Sequence, residues 1–250
     1  MAEQLKTDGI VIREKTTGES DRLVTILTRS NGVIRAFARH AKNPKDNKSS
    51  GTSLLCYSDF TLSRGSKYCY VDSAKPKEVF FGLRNDIERL SLAQYFCELA
   101  AEFIPEDTDS SEFLRLMLNS LYFLAKTKKN AKLIKAITEL RMISIAGYMP
   151  DLVGCRECGK YESESFYFLT LESCIYCKDC FDKQHGNWVE LPYTVVHAMR
   201  HICYSDFEKI YSFNLADDAL RLLAFVCEAY TVNTLGHTMN TLEFYKSIQL

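Results

Sequence analysis

Nowhere in the 250 residues do about 18 apolar residues run without a charge, so no membrane span is expected. The opening stretch to Thr17 mixes Glu3, Lys6, Asp8, Arg13, Glu14 and Lys15 among apolar residues and does not read as an export signal. No His-Glu-x-x-His occurs, and no Gly-rich phosphate loop, paired carboxylates or Ser-His-Asp set rises above chance, so an enzyme is not expected. Gly154 to Lys160 has the spacing of a phosphate loop, yet Tyr161 stands where a Ser or Thr would hold Mg²⁺. An internal repeat is absent too, and the net charge is only −1.

That near-zero charge conceals an asymmetry. Residues 1–78 carry 14 Lys/Arg against 9 Asp/Glu, a net of +5, and the other 17 basic and 23 acidic groups leave −6 on residues 79–250. A positive lobe joined to a negative body suits a protein that grips phosphates with one part and something else with the other. Cysteine is not scarce: there are 10, and without an export signal they point to a reducing cytoplasm rather than a disulfide scaffold.

Short strands are expected from residue 9 to about 73, in Gly9–Ile12, Arg22–Thr28, Val33–Arg39, Leu54–Ser63 and Lys67–Asp72, the last two separated by Arg64-Gly65-Ser66. Asn31-Gly32 predicts a hairpin with a type I′ turn, because both residues tolerate positive φ. Five short strands fit a small closed barrel, which removes exposed edges. The polar stretch Ala41–Thr52 is expected to be a mobile loop. After Phe81 the apolar period becomes helical: Ile87 to Phe103, Phe113 to Leu124 and Leu133 to Ile145 predict three amphipathic helices, with caps at Asp109, Ser110 or Ser111 and stops at Gly147 and Pro150. More helices are expected from Pro192 onward. The body is thus all-α, interrupted once between about Gly154 and Asp182.

The interruption holds half of the cysteines: Cys155-Arg-Glu-Cys158, then Cys174-Ile-Tyr-Cys177-Lys-Asp-Cys180. A Cys-x-x-Cys turn aims two thiolates at one tetrahedral ion, and two such turns close a structural zinc site against water. Both second pairs, Cys174/Cys177 and Cys177/Cys180, fall in the usual spacing window, so five candidates compete for four positions. Nothing nearby supplies the His-x-Glu of a zinc deaminase, which favours a structural ion. Cys56, Cys69, Cys97, Cys203 and Cys227 lie in apolar settings and read as small core residues.

Alternation along the third strand puts Val33, Arg35, Phe37 and Arg39 on one face and Ile34, Ala36 and Ala38 on the other. The small apolar face can fill a barrel. The other presents two cations and a ring, and the following loop adds Lys42, Lys45 and Lys48, the combination with which single-strand binders follow phosphates and stack bases.

Together these features resemble the RecO family. The likeness is carried by Gly9-Ile10-Val11-Ile12-Arg13, by Gly18-Glu19-Ser20-Asp21-Arg22 running on to Thr28, by Gly32, by the basic stretch Arg39 to Lys48, and by Cys-x-x-Cys pairs inside a helical body. It implies an α+β multidomain fold: an N-terminal OB-fold β-barrel over residues 1–80, then an all-α helical domain over 81–250 carrying a four-cysteine zinc-binding insert at 154–182. It also implies a non-enzymatic DNA repair and recombination mediator of the RecFOR pathway, nucleoid-associated in the cytoplasm. Such a protein binds single- and double-stranded DNA, anneals complementary strands, contacts RecR and the acidic tail of single-strand-binding protein (SSB), and helps load RecA. On this resemblance the zinc ligands are Cys155, Cys158, Cys177 and Cys180, with Cys174 as the alternate, and the DNA contacts are Arg35, Arg39, Lys42, Lys45 and Lys48, with Phe37 a weaker candidate. Two departures stand out. Ser173 and Cys174 occupy places where the family commonly has Gly-Gly, and Arg39-His40-Ala41-Lys42 stands where it often reads Lys-Gly-Ala-Arg. The rival reading is a zinc-stabilised interaction adaptor whose barrel binds peptide or RNA. Tyr95, Phe96, Tyr122 and Phe123 are expected in the core, with a tail-binding groove as the other use.

Overall fold

Five runs rich in β-branched and aromatic residues form β1 (Gln4–Thr17), β2 (Asp21–Thr28), β3 (Val33–Ala38), β4 (Cys56–Arg64) and β5 (Cys69–Val79). The computed structural model describes residues 4–65, 68–183 and 186–249. The strands close into a barrel in the order β1-β2-β3-β5-β4, with β4 returning to β1 and β3 lying parallel to β5. This is a five-stranded OB-fold, closed between β3 and β5 by the short parallel pairing of Ala36 with Cys69 and Phe37 with Tyr70. β1 runs further than the apolar run alone suggests because it serves two neighbours: Gln4–Ile10 pair with β4 and Gly9–Thr17 with β2, across a register shift between Val11 and Arg13. A bulge of that kind bends a strand enough to round a barrel corner. β5 also continues beyond Asp72, to Val79, while its expected first residue, Lys67, lies outside the described residues.

Val11, Val24, Ile26, Ala36, Ala38, Phe60, Leu62, Val71 and Ala74 fill the barrel. Each fully buried Val, Leu or Ile contributes roughly 1.5–3 kcal/mol, and the small Ala36 and Ala38 leave room for Phe60 and Leu62.

Two local expectations are corrected. The β2–β3 connection is not a two-residue type I′ turn, because Gly32 alone takes positive φ, at +61°, and Arg29 to Gly32 all lie between the strands. Glycine is needed there for space as well: a Cβ on Gly32 would sit 2.0 Å from the Pro105 carbonyl oxygen, where the segment after the first helix bridges to the hairpin. The stretch Ala41–Thr52 is a chain of tight turns rather than a loose loop. Its turns close at Asn43 on His40, Asp46 on Asn43 and Ser49 on Asp46, and Arg22 Nη1 donates to the Ser49 carbonyl at 2.7 Å and to Ser53 Oγ at 3.2 Å. Ala41 and Thr52 are fully buried. Pattern alone hides this because the anchors, Arg22 and Ser58, belong to other strands.

α1 (Ile87–Phe103) begins at Asp86, whose carboxylate accepts from the Arg89 amide, and ends before Pro105. α2 (Ser111–Lys126) starts where Asp109 accepts from the Ser111 amide at 2.9 Å; Ser110 instead donates its hydroxyl to the Thr28 carbonyl at 2.6 Å. Residues up to 127, together with those from 241 onward, make one compact unit, and residues 128–240 make a second.

In the second unit α3 (Ala131–Ile143) is capped by the Asn130 side chain and runs into a wide turn that Gly147 closes at φ +94°. A three-stranded sheet follows, β6 (Ser165–Leu169), β7 (Cys174–Cys177) and β8 (Trp188–Pro192), in the order β7-β6-β8. β8 passes directly into α4 (Tyr193–Tyr204), so the sheet extends beyond residue 182. α5 (Asp217–Leu235) packs on α3. Between them Lys135 lies buried with its ammonium 2.7 Å from Glu139 and 2.8 Å from Glu228. Burial alone would pull that lysine down, but the two carboxylates outweigh it and keep it charged. The short α6 (Asn240–Ser247) closes the chain, with Glu98 of α1 accepting from the Thr241 amide at 3.1 Å.

Candidate metal centre and nucleic-acid interface

Two tight turns build the cysteine cluster. In the first, the Gly159 amide donates to the Cys155 carbonyl at 2.8 Å and Gly159 takes φ +71°, which turns the chain so that Cys155 and Cys158 face the same side. In the second, the amides of Cys180 and Phe181 both donate to the Cys177 carbonyl, at 3.1 and 3.0 Å. A bond from the Arg156 amide to the Ile175 carbonyl, 2.8 Å, brings the first turn against β7. The sulfur atoms of Cys155, Cys158, Cys177 and Cys180 all lie within 4.8 Å of one another, and Cys158 and Cys177 are 3.8 Å apart. Four sulfurs at the vertices of a tetrahedron with 2.3 Å metal bonds stand roughly 3.8 Å apart, so these residues fit a bound metal ion. Cys174 is not among the four. Three residues from Cys177 on the same strand, it projects from the opposite face, where it is buried opposite Leu169.

The electrostatics of the cluster favour a dication. Burial raises the Cys155 thiol, but the backbone amides of Cys158, Cys177 and Glu157 outweigh it and bring it down to about 7. Sulfur contacts with Cys158 and Cys177 then push Cys180 well above the ordinary thiol range, and burial raises Cys177. Four adjacent thiols cannot all ionise unless a cation compensates them.

One residue that supports the cluster escaped the sequence reading. Arg200, on α4, is buried; its Nε donates to the Leu152 carbonyl at 2.6 Å and its Nη2 to the Val153 carbonyl at 3.3 Å. Its guanidinium stands 4.0 Å from the Tyr161 ring centre. Arg200 therefore clamps the chain on both sides of the first cysteine turn to a helix. The signal available in sequence was a cation between Met199 and Ile202 on an otherwise apolar face.

On the barrel, Arg35 and Arg39 are exposed, as are Lys42 and Lys45 in the turns that follow. Lys48 differs: its side chain is largely covered and its ammonium lies 3.9 Å from Asp46, which engages part of its charge. Phe37 is half-buried beneath Tyr68 and Tyr70, at ring-centre distances of 5.1 and 6.1 Å, and Arg39 lies 4.8 Å over the Tyr70 ring. The two tyrosines were missed because the parallel pairing of β3 with β5 spans more than 30 residues of chain. Among the aromatic candidates, Tyr95 and Phe96 are fully buried core residues, whereas Tyr122 is 53% exposed on α2. Of the other cysteines, Cys56, Cys97, Cys203 and Cys227 are buried and Cys69 is half-buried.

Comparison with known proteins bears on the same two regions. The family description "Recombination protein O N terminal" matches residues 1–80, and "Recombination protein O C terminal" matches residues 84–243. The chain belongs to the RecO family. Among its relatives, the DNA repair protein RecO of Acetivibrio thermocellus is 35% identical over 98% of this chain and 97% of its own length. Those of Alkaliphilus metalliredigens and Dehalococcoides mccartyi are 29% and 30% identical, over 98% and 90% of this chain and 99% and 88% of their own lengths. Membership in RecO, a family of DNA repair proteins, gives the two structural features a common context: an OB-fold barrel with exposed cations, and a four-cysteine cluster able to hold a metal. Among the described residues no helix is long and apolar enough to cross a membrane.

Proposed function

We propose that this RecO-family protein is a non-enzymatic mediator of DNA repair and homologous recombination that binds DNA through its barrel, anneals complementary single strands and helps load RecA on SSB-coated single strands. The observation that carries the reading is the exposed row of Arg35, Arg39, Lys42 and Lys45 on an OB-fold barrel whose sequence segment is net positive. Lys48 and Phe37 contribute less directly, Lys48 through a charge shared with Asp46 and Phe37 as a support. Neutralising phosphates on two strands at once lowers their mutual repulsion, which is the physical basis of annealing, and no covalent step is involved. In this reading residues 1–80 grip DNA, the helical domain over 81–250 receives RecR and the SSB tail, and the insert around 154–182 is held by structural Zn²⁺. Cys155, Cys158, Cys177 and Cys180 hold the ion, and four thiolates with no open position supply rigidity rather than chemistry. The protein works in the cytoplasm, at the nucleoid.

The test is binding of a fluorescent single-stranded oligonucleotide across a salt series, by the zinc-loaded protein and by a variant with Arg39, Lys42, Lys45 and Lys48 all changed to Ala. Weaker binding with a shallower salt dependence in the variant is the expected result. No measurable binding by the unmutated protein at moderate salt would overturn the reading in favour of an adaptor whose barrel engages peptide or RNA.

A further inference from the structure

The basic face of the barrel is more than a charge patch. Phe37 and Tyr70 are register partners in the parallel β3–β5 pair, and Tyr68 lies two residues before Tyr70, so all three rings rise on one side of the sheet. Phe37 meets Tyr68 edge to face, at 85°, and Tyr70 at a tilt of 32°. The phenylalanine is therefore a floor that holds the tyrosines in place, while Tyr68 remains 51% exposed. Arg39 extends over Tyr70, which keeps a guanidinium beside the rings at the edge where Lys42 follows in the chain.

Beside Tyr68 opens a cavity of about 650 Å³, lined among others by Ile34, Leu62, Arg35, Glu106 and Asp107. That volume falls within the roughly 300–1,000 Å³ of small-ligand sites. Ile34 and Leu62 give it apolar surface, and Arg35 and Arg64 offset Glu106 and Asp107, with Arg64 3.7 Å from Asp107, so the groove has room and contact surface for an uncharged planar group. The phosphates belong along Arg39 and Lys42, on the Tyr70 side of the rings.

We propose that Tyr68 and Tyr70, seated on Phe37, are the base-stacking platform of the barrel and receive an unstacked base of single-stranded DNA beside the groove. This rests on the DNA-binding reading above and gives it a preference that charge alone does not: duplex DNA, whose bases are already stacked, gains nothing from the platform. Loss of one base–aromatic stack weakens binding by roughly 5- to 100-fold.

The experiment compares full-length, zinc-loaded wild type with Tyr68→Ala, Tyr70→Ala and Tyr68→Phe, on a single-stranded oligonucleotide containing 2-aminopurine and on a blunt duplex, over the same salt series. The expected result is single-strand binding weakened about 5- to 100-fold by Tyr68→Ala at every salt concentration, with the salt slope unchanged because no cation is lost. Duplex affinity should hold, Tyr68→Phe should behave as wild type, and the stacking-induced quench of 2-aminopurine should disappear in Tyr68→Ala. If wild type binds and both alanine variants bind as well as it does, the platform is wrong and the phosphate grip stands. Equal losses on single strand and duplex would also overturn it, as a general loss of structure, and failure of wild type itself to bind would sink both readings together.

Discussion

At the scale of single residues the barrel is locked by a small ionic cluster. Arg29 donates to both carboxylate oxygens of Asp8, at 2.6–3.1 Å, and the Tyr57 hydroxyl donates to the same carboxylate, tying β1, β4 and the β2–β3 connection together. The Arg29 guanidinium holds Asp8 down to about 2 against a burial that would raise it, with Tyr57 adding to the depression. Because that lies below the ordinary value of 3.8, the cluster's contribution is complete above 3.8 and is lost as the pH falls toward 2. Asp8→Asn should therefore lower stability at neutral pH and flatten its decline in that acid interval, read by urea unfolding at a series of pH values. Arg29 is about half exposed, so the effect should be modest and shrink with added salt. An unchanged acid profile in the variant would remove Asp8 from the account.

At the scale of elements, the cysteine cluster joins a short sheet to a turn that could not bury enough surface to hold itself. Trp188, the only tryptophan, begins β8 and stands 5.2 Å from the ring of Phe181, the residue after Cys180, so it reports on the second cysteine turn. Removing the metal with a chelator should change its fluorescence, release zinc in near-stoichiometric amount by elemental analysis and lower the unfolding temperature of the residue 128–240 unit. Metal retention should weaken as the pH falls, because thiols must lose protons to bind a metal. A chelator-treated protein with the same emission and the same melting would exclude a structural metal. Arg200→Leu should act on the same element by a different route. It leaves the Leu152 and Val153 carbonyls without their donor, at a cost on the order of 1–3 kcal/mol, and should speed zinc loss in a competition with a chromogenic chelator. Zinc loss at the wild-type rate would mean that the clamp does not support the cluster.

At the scale of the whole molecule, the proposed DNA grip rests on the opposite charges of the two sequence segments, +5 on residues 1–78 and −6 on residues 79–250. Four cations removed from the barrel correspond to at most four released counterions, and a single strand contributes about 0.7 per contact, so the slope of log affinity against log salt should fall by about 2–3 for the quadruple variant. Lys48, already beside Asp46, should account for the smallest share, and restoring it alone should recover little. Recovery of most of the slope by Lys48 would show that the ion pair opens on binding.

Much of this was readable in the chain because it rests on local periodicity. Alternation in β3 sorted Ala36 and Ala38 inward and Arg35 outward, the 3.6-residue period marked α1 to α5, and two Cys-x-x-Cys turns announced a four-sulfur cluster. What only the tertiary structure decided depends on partners distant in sequence. Gly32 is required by Pro105, the turns of Ala41–Thr52 are ordered by Arg22, the cysteine turn is clamped by Arg200, and Tyr68 and Tyr70 acquire their floor when β5 lies parallel to β3. A residue's neighbours along the chain fix which face it shows. Chain closure over tens of residues decides what that face meets, and no local pattern encodes it.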